Sequence, residues 1–174
     1  MQVIFIIRKL KIYLISRFFF VNLFFKLKFG EIMKVSLASD HGGFKYKEKI
    51  KEYLVHKGIE VIDYGTFSEE SCDYPDYIRK AAVAVAEGIV DKAIGVCSSG
   101  VGVSIVANKV RGVRAALCHN LEIAKLSRQH NNANFLALGQ KFVKEDELLP
   151  MVEAWLNTEF EGGRHQRRVE KIEN

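Results

Sequence analysis

Cys97 opens the segment C-S-S-G-V-G-V-S at the end of a short apolar run that reads as a β-strand. A strand-end cysteine followed by a glycine-rich turn into a helix meets a row of backbone N–H groups able to cradle an anion. The positive end of the helix dipole draws a thiol pKa from about 8.5 toward neutrality. A thiolate there can remove a carbon-bound proton while the neighbouring N–H groups hold the resulting oxyanion. A buried structural cysteine ahead of a tight turn has the same sequence, and at this level both readings stand. Two other cysteine chemistries fail on spacing. A cysteine phosphatase needs Arg six positions on, where Val103 stands, and a thioredoxin-like pair needs Cys three positions on, where Gly100 stands. G-x-G-x-x-G is absent, which disfavours a nicotinamide site.

Three more segments could carry chemistry. In Asp40-His41-Gly42-Gly43, Asp suits a sugar hydroxyl and His suits proton donation or a phosphate; an Asp/His turn capping the next helix reads equally well. His130-Asn131-Asn132 ends a helical pattern, where His also simply complements the helix dipole. Arg164 and Arg168 lie four apart, so both guanidinium groups share one helix face and can grip a phosphate. The same run, R-H-Q-R-R-V-E-K, is also an ordinary solvated face. His56, His119 and His165 read as surface or packing residues. No Cys/His cluster has zinc-ligand spacing, and a structural metal is not expected.

The elements that must position these residues alternate short β-rich runs with longer helical patterns, which predicts a parallel sheet with crossover helices. Strands are expected at 34–39, 60–64, 93–97, 113–118 and 135–138. Helices are expected at 45–57, 76–87, 101–109, 121–129, 145–157 and 165–172, with residues 65–74 a polar loop ending at Pro75. The expected fold is a single doubly wound α/β domain: a Rossmann-like three-layer sandwich on a five-stranded parallel sheet. Ligands of such sheets sit beyond the carboxyl ends of the strands, where Asp40–Gly43 and Cys97–Gly100 fall.

The chain has 174 residues, enough for one domain with a sizeable core. Its formal net charge of +5 lies wholly in residues 1–32, where Arg8, Lys9, Lys11, Arg17, Lys26 and Lys28 face Glu31 alone. Residues 33–174 are formally neutral, so neither a nucleic acid nor a membrane is the expected partner. Three cysteines without a CxxC pair or a secretory signal point to reduced thiols and a cytoplasmic location. Residues 1–32 are rich in Phe, Ile, Leu, Lys and Arg. Their longest uncharged run, 18–25, is far short of the roughly 18–20 residues a bilayer span needs. A targeting segment and an amphipathic membrane anchor are alternatives, but the favoured reading is a translated leader outside the fold. The domain then spans 33–174 and Met33 is the natural start.

Five segments occur in order: A-S-D-H-G-G (38–43), D-Y-P-D-Y (73–77), C-S-S-G-V-G-V-S-I-V-A-N-K (97–109), L-S-R-Q-H-N-N-A-N (126–134) and E-G-G-R-H-Q-R-R-V (161–169). Together they closely resemble the type B ribose-5-phosphate isomerases and their hexose-6-phosphate relatives. The resemblance runs from Met33 to the C-terminus and leaves out residues 1–32. It implies an aldose–ketose isomerase acting through a cis-enediolate, with no metal or organic cofactor. Cys97 would shuttle the proton between C2 and C1, and Ser98, Ser99, Gly100, Val101 and Gly102 would form the anion hole. His130 would open the furanose ring, with Asp40 accepting a hydroxyl proton. His41, Arg164 and Arg168 would hold the phosphate, Asn131 a substrate oxygen, and Tyr74 would line the pocket. One branch of the family uses a Glu shortly after the glycine loop; Val103 stands here, which places this chain in the cysteine branch. Lys141 stands where the family commonly has Arg, and Ser98 where Gly is usual, so a bidentate contact becomes a single charge and the pocket narrows slightly. The resemblance also implies a homodimer or dimer of dimers with the active site between subunits. An isomerase of allose or galactose 6-phosphate and a non-catalytic sugar-phosphate sensor are the competing readings. The sensor is disfavoured because binding alone requires neither the thiol nor the ring-opening histidine.

Overall fold

Period-two alternation along the strands sets up two unlike sheet faces. In the computed structural model, which describes residues 32–173, five strands pair in parallel. They are β1 (Lys34–Ser39), β2 (Glu60–Asp63), β3 (Lys92–Cys97), β4 (Ala115–Cys118) and β5 (Phe135–Gly139), in the order β2-β1-β3-β5-β4. The helices are α1 (Phe44–His56), α2 (Tyr74–Ala86), α3 (Val101–Asn108), α4 (Leu121–Asn131), α5 (Glu145–Asn157) and α6 (Arg164–Glu173). Val35, Leu37, Ile94, Val96, Leu136 and Leu138 face α1, α4 and α5, where Trp155 is fully buried. The opposite face is lined by small side chains, Ala38, Ala93 and Ala137, and is covered by the Ala/Val-rich α2 and α3. A Cβ on Gly95 would lie 2.6 Å from Val103 Cγ1, so α3 seats against bare backbone there. The expected doubly wound, three-layer α/β sandwich is the observed fold.

From β1 the chain steps outward to β2, then crosses back to β3 on the other side of β1. This reversal opens a crevice beyond the carboxyl ends of β1 and β3, the usual ligand position in open α/β sheets. Ser39 pairs with Val96, so Asp40 and Cys97 leave the sheet side by side.

Element bounds agree with the sequence pattern closely, with three informative departures. Helix α2 starts at Tyr74 with Pro75 in its first turn, where the missing N–H costs nothing, so proline opens this helix instead of ending the loop. Helix α4 runs on to Asn131, and Asn132 closes it in the left-handed conformation with φ 47°. His130 and Asn131 therefore stand inside the last helical turn and do not follow it. A single 3-10 turn, His41–Gly43, also intervenes before α1. The leader assigned to residues 1–32 lies outside the described residues except for Ile32. Among the described residues, no helix is long and apolar enough to cross a membrane.

Candidate active site

Asp40 follows β1 and caps the 3-10 turn, its Oδ1 accepting the Gly43 N–H at 3.1 Å. Burial raises the Asp40 carboxyl pKa above the usual carboxylate value, while His41 and the Gly42 and Gly43 N–H groups pull the other way. The turn is pressed onto β3. A Cβ on Gly43 would lie 2.4 Å from Val96 O, and one on Gly42 would lie 3.2 Å from Ser98 Cβ. The two glycines thus bring the Asp40 turn into contact with the cysteine loop.

Cys97 is buried at the end of β3, and its sulfur accepts the Gly100 N–H at 3.1 Å. Gly100 has φ 78° and precedes the first turn of α3, so the loop folds back under the sulfur and then launches the helix. The loop is clamped from the β5 side. Gln140 N donates to Cys97 O at 2.9 Å and Lys141 N to Ser98 O at 3.0 Å. A Cβ on Gly139 would lie 2.4 Å from Ser99 O. Tyr74 closes the other flank, since a Cβ on Gly102 would lie 2.6 Å from its ring. His41 is exposed, and its Nδ1 accepts the Cys72 N–H at 3.2 Å, leaving Nε2 as the nitrogen free to meet a ligand. Beside the loop lies a cleft of about 400 Å3 lined by Ser99, Leu117, His119 and Phe142. A larger hollow of about 610 Å3, between Tyr64, Arg79 and Ile89, involves none of these residues.

The remaining expected site residues gather elsewhere. In a parallel sheet each crossover helix runs back toward the amino ends of the strands. Helix α4 follows β4 and ends just before β5, so His130 and Asn131 lie at the amino ends, opposite Cys97. The five residues of β5 alone separate those ends by roughly 16 Å. Helix α6 packs on α4, burying His165 and Val169 and leaving Arg164 and Arg168 exposed. The His130 and His165 rings are stacked in parallel at 4.3 Å between centroids. Asp40, His41, Tyr74, Cys97, the loop from Ser98 to Gly102 and Lys141 thus form one group; His130, Asn131, Arg164 and Arg168 form a second.

Residues 35–172 match the ribose/galactose isomerase family. The chain belongs to that family. Ribose-5-phosphate isomerase B of Escherichia coli K12 is 50% identical over 139 residues, 80% of this chain and 93% of that protein. The solved ribose-5-phosphate isomerase B of Clostridium thermocellum superposes with TM-score 0.79 at 51% identity, covering 80% of this chain and 95% of that one. The Mycoplasma genitalium enzyme, solved with bound ribulose 5-phosphate, gives TM-score 0.78 at 42% identity over 82% and 95% of the two chains. Membership makes this chain an aldose–ketose isomerase.

His165, which the sequence reads as a surface or packing residue, is buried and lies flat on His130, with Glu161 Oε2 3.7 Å from its Nε2 and 3.9 Å from that of His130. The signal was its spacing of four from Val169, which marks the buried face of α6 between its two arginines. Burial lowers the His165 pKa first, then the positive charges of His130, Arg164 and Arg168, with Glu161 opposing. Nitrogens and carboxylate of His130, Glu161 and His165 lie within 4.8 Å of one another, so a metal must be considered. Parallel stacked rings direct their in-plane lone pairs side by side and do not converge on one point. The two arginines add positive charge. The cluster suits proton handling better than a cation.

Proposed function

We propose that this isomerase interconverts ribose 5-phosphate and ribulose 5-phosphate in the cytoplasm, as a dimer in which two copies complete each active site. The observation that carries the reading is the Cys97 sulfur, held by Gly100 N–H beside Asp40, in a chain half identical to a ribose-5-phosphate isomerase. His130 and Asp40 exchange protons with the furanose hydroxyl and ring oxygen, releasing the open-chain aldehyde. Cys97 removes the C2 proton, and the electrons move through C1 to the carbonyl oxygen. The loop from Ser98 to Gly102 holds the cis-enediolate through the N–H groups that are not donated to the Cys97 sulfur. The proton then returns from sulfur to C1 while the O2 hydroxyl proton passes to O1, leaving the ketone at C2. Only protons and the electron pairs they leave are moved, so the route requires no metal or organic cofactor. His41, Arg164 and Arg168 grip the phosphate, with Lys141 adding a point charge; Asn131 holds a sugar oxygen, and Tyr74 walls the pocket.

The separation of the proposed site residues between opposite sheet ends supports the reading that a second copy completes each site. The cysteine loop is rimmed by Val101, Ile105 and Phe142, respectively 49%, 55% and 66% exposed, an apolar surface suited to burial against another copy. Assay of the purified chain on ribose 5-phosphate, allose 6-phosphate and galactose 6-phosphate tests the substrate. A larger kcat/KM for either hexose would overturn the pentose reading. We further propose that residues 1–32 are a leader that takes no part in catalysis; deleting them should leave kcat and KM unchanged, and a loss of either would refute this.

A further inference from the structure

We infer that His165 and Glu161 are positioning residues for His130, and through it for opening of the sugar ring. This rests on the ring-opening role proposed for His130 and adds what makes that role possible on a half-exposed side chain. The His130 side chain is 38% exposed at a helix end, where nothing on its own helix fixes its ring. His165 supplies a wall, its ring parallel to that of His130 at 4.3 Å and itself buried on the inner face of α6. Glu161 supplies a charge. Its backbone N–H donates to Gln129 O at 3.1 Å, which ties it to the residue preceding His130, and its Oε2 lies 3.9 Å from His130 Nε2. That separation is an ion-pair distance and exceeds hydrogen-bond length, so Glu161 faces His130 as a charge and leaves Nε2 free of a hydrogen bond to it.

The stack works because His165 stays neutral. Arg164 Nε donates to His165 Nε2 at 3.3 Å, so that nitrogen accepts and the proton sits on Nδ1. A charged ring could not lie flat against His130 without repulsion from the nearby cations; a neutral ring can. The other charges around the pair are Arg164 and Arg168 on α6 and Glu161 before it. On α4, Arg128 is turned away to Thr158 O, Ala133 O and Asn132 Oδ1. A phosphate bound by the two arginines would therefore offset their positive charge beside His130 when substrate arrives.

Ribulose 5-phosphate gives the discriminating measurement. Its C5 oxygen is phosphorylated, so it cannot close a furanose ring, and exchange of its C1 hydrogen with deuterium oxide reports enediolate chemistry without ring opening. Turnover of ribose 5-phosphate requires both. His165→Ala should lower kcat on ribose 5-phosphate by roughly ten- to a hundredfold, part of what a general acid–base group contributes. KM and the C1 exchange should stay within about twofold, since proton shuttling at Cys97 is untouched and Arg164, which loses only the partner of its Nε, keeps its two Nη groups for the phosphate. His165→Phe, which keeps a flat ring, should recover most of the loss, and Glu161→Gln should show the same selective defect. Equal loss of both rates in His165→Ala and Glu161→Gln, or no loss in either, would overturn the inference and leave His165 a packing residue. His130→Ala separates the two levels. Normal turnover there would remove the ring-opening role itself, whereas a selective defect in His130→Ala alone would remove only the positioning role.

Discussion

The Gly100 N–H donates to the Cys97 sulfur at 3.1 Å across a turn that only glycine fits. A Cβ at Gly100, which has φ 78°, would lie 2.5 Å from Leu117 Cδ1 and 2.8 Å from the Leu138 carbonyl carbon. One glycine thus aims an N–H at sulfur and lets the loop lie against the ends of β4 and β5. Cys97→Ala should lower kcat by about two to four powers of ten while substrate affinity is largely kept, because a proton carrier acts on the transition state. Gly100→Ala should lower kcat as well and also destabilise the fold, by roughly 1–2 kcal/mol for the backbone conformation alone. Steady-state kinetics and denaturant unfolding of the two variants would separate chemistry from geometry. Near-normal kcat in Cys97→Ala would refute the thiolate base.

Asp40 is buried, and burial raises its carboxyl pKa above the ordinary 3.8. Between that value and the raised one, the folded state holds more protons than the unfolded chain, so stability falls as pH rises through this window. Asn keeps the oxygen that accepts Gly43 N–H but has no charge to desolvate. Asp40→Asn should therefore unfold at the same or higher temperature than the parent at pH 7, and its advantage should shrink below pH 4. Its activity on ribose 5-phosphate should fall sharply. Thermal unfolding across pH 3–8 checks the sign, and a clear loss of stability at pH 7 would contradict it.

Much of this was legible in the residues. The strand 34–39 and the helix 145–157 stand where the apolar patterning places them, because an alternating or 3.6-residue period leaves little freedom. The helix expected from 76 begins two residues earlier, at Tyr74, because Pro75 has no N–H to lose in a first helical turn and so fits inside the helix as well as before it. The heart of the cysteine group was legible, since Asp40–Gly43 and Cys97–Gly100 both follow strand ends. That His130 and the arginines lie at the other end of the sheet follows from the parallel topology, but their motifs say nothing of distance. The role of His165 was hidden for a different reason. A stack between two helices distant in sequence leaves no local pattern, and His is an ordinary packing residue on an amphipathic helix.

Arg164 and Arg168 should behave unlike Cys97. The phosphate does not change its bonding during isomerisation, so each guanidinium contributes to substrate and transition state alike. Arg164→Ala and Arg168→Ala should each raise KM about ten- to a hundredfold with a smaller change in kcat, matching roughly 1.5–3 kcal/mol for a charge-assisted contact. Inhibition by inorganic phosphate should weaken in parallel. Both side chains are solvent-exposed in the single chain, so folding should be unaffected. Normal KM and normal phosphate inhibition in both variants would make this an ordinary solvated helix face.

The separation of Cys97 from His130 makes the strongest demand on the dimer. If each site takes Cys97 from one copy and His130 from the other, Cys97→Ala and His130→Ala homodimers are both inactive on ribose 5-phosphate. Each of their sites then lacks one group. In a mixed dimer the two defects fall together in one site, and the other site has both groups intact. Random exchange of equal amounts makes half the dimers mixed, so activity should return to about a quarter of the parent value. The measurement is turnover before and after the two variants are mixed, unfolded and refolded together. Were both groups supplied by the same copy, every site in every dimer would carry one defect, and mixing would restore nothing. Recovery near a quarter, absent when either variant is refolded alone, would establish that the two ends of this sheet meet only between copies.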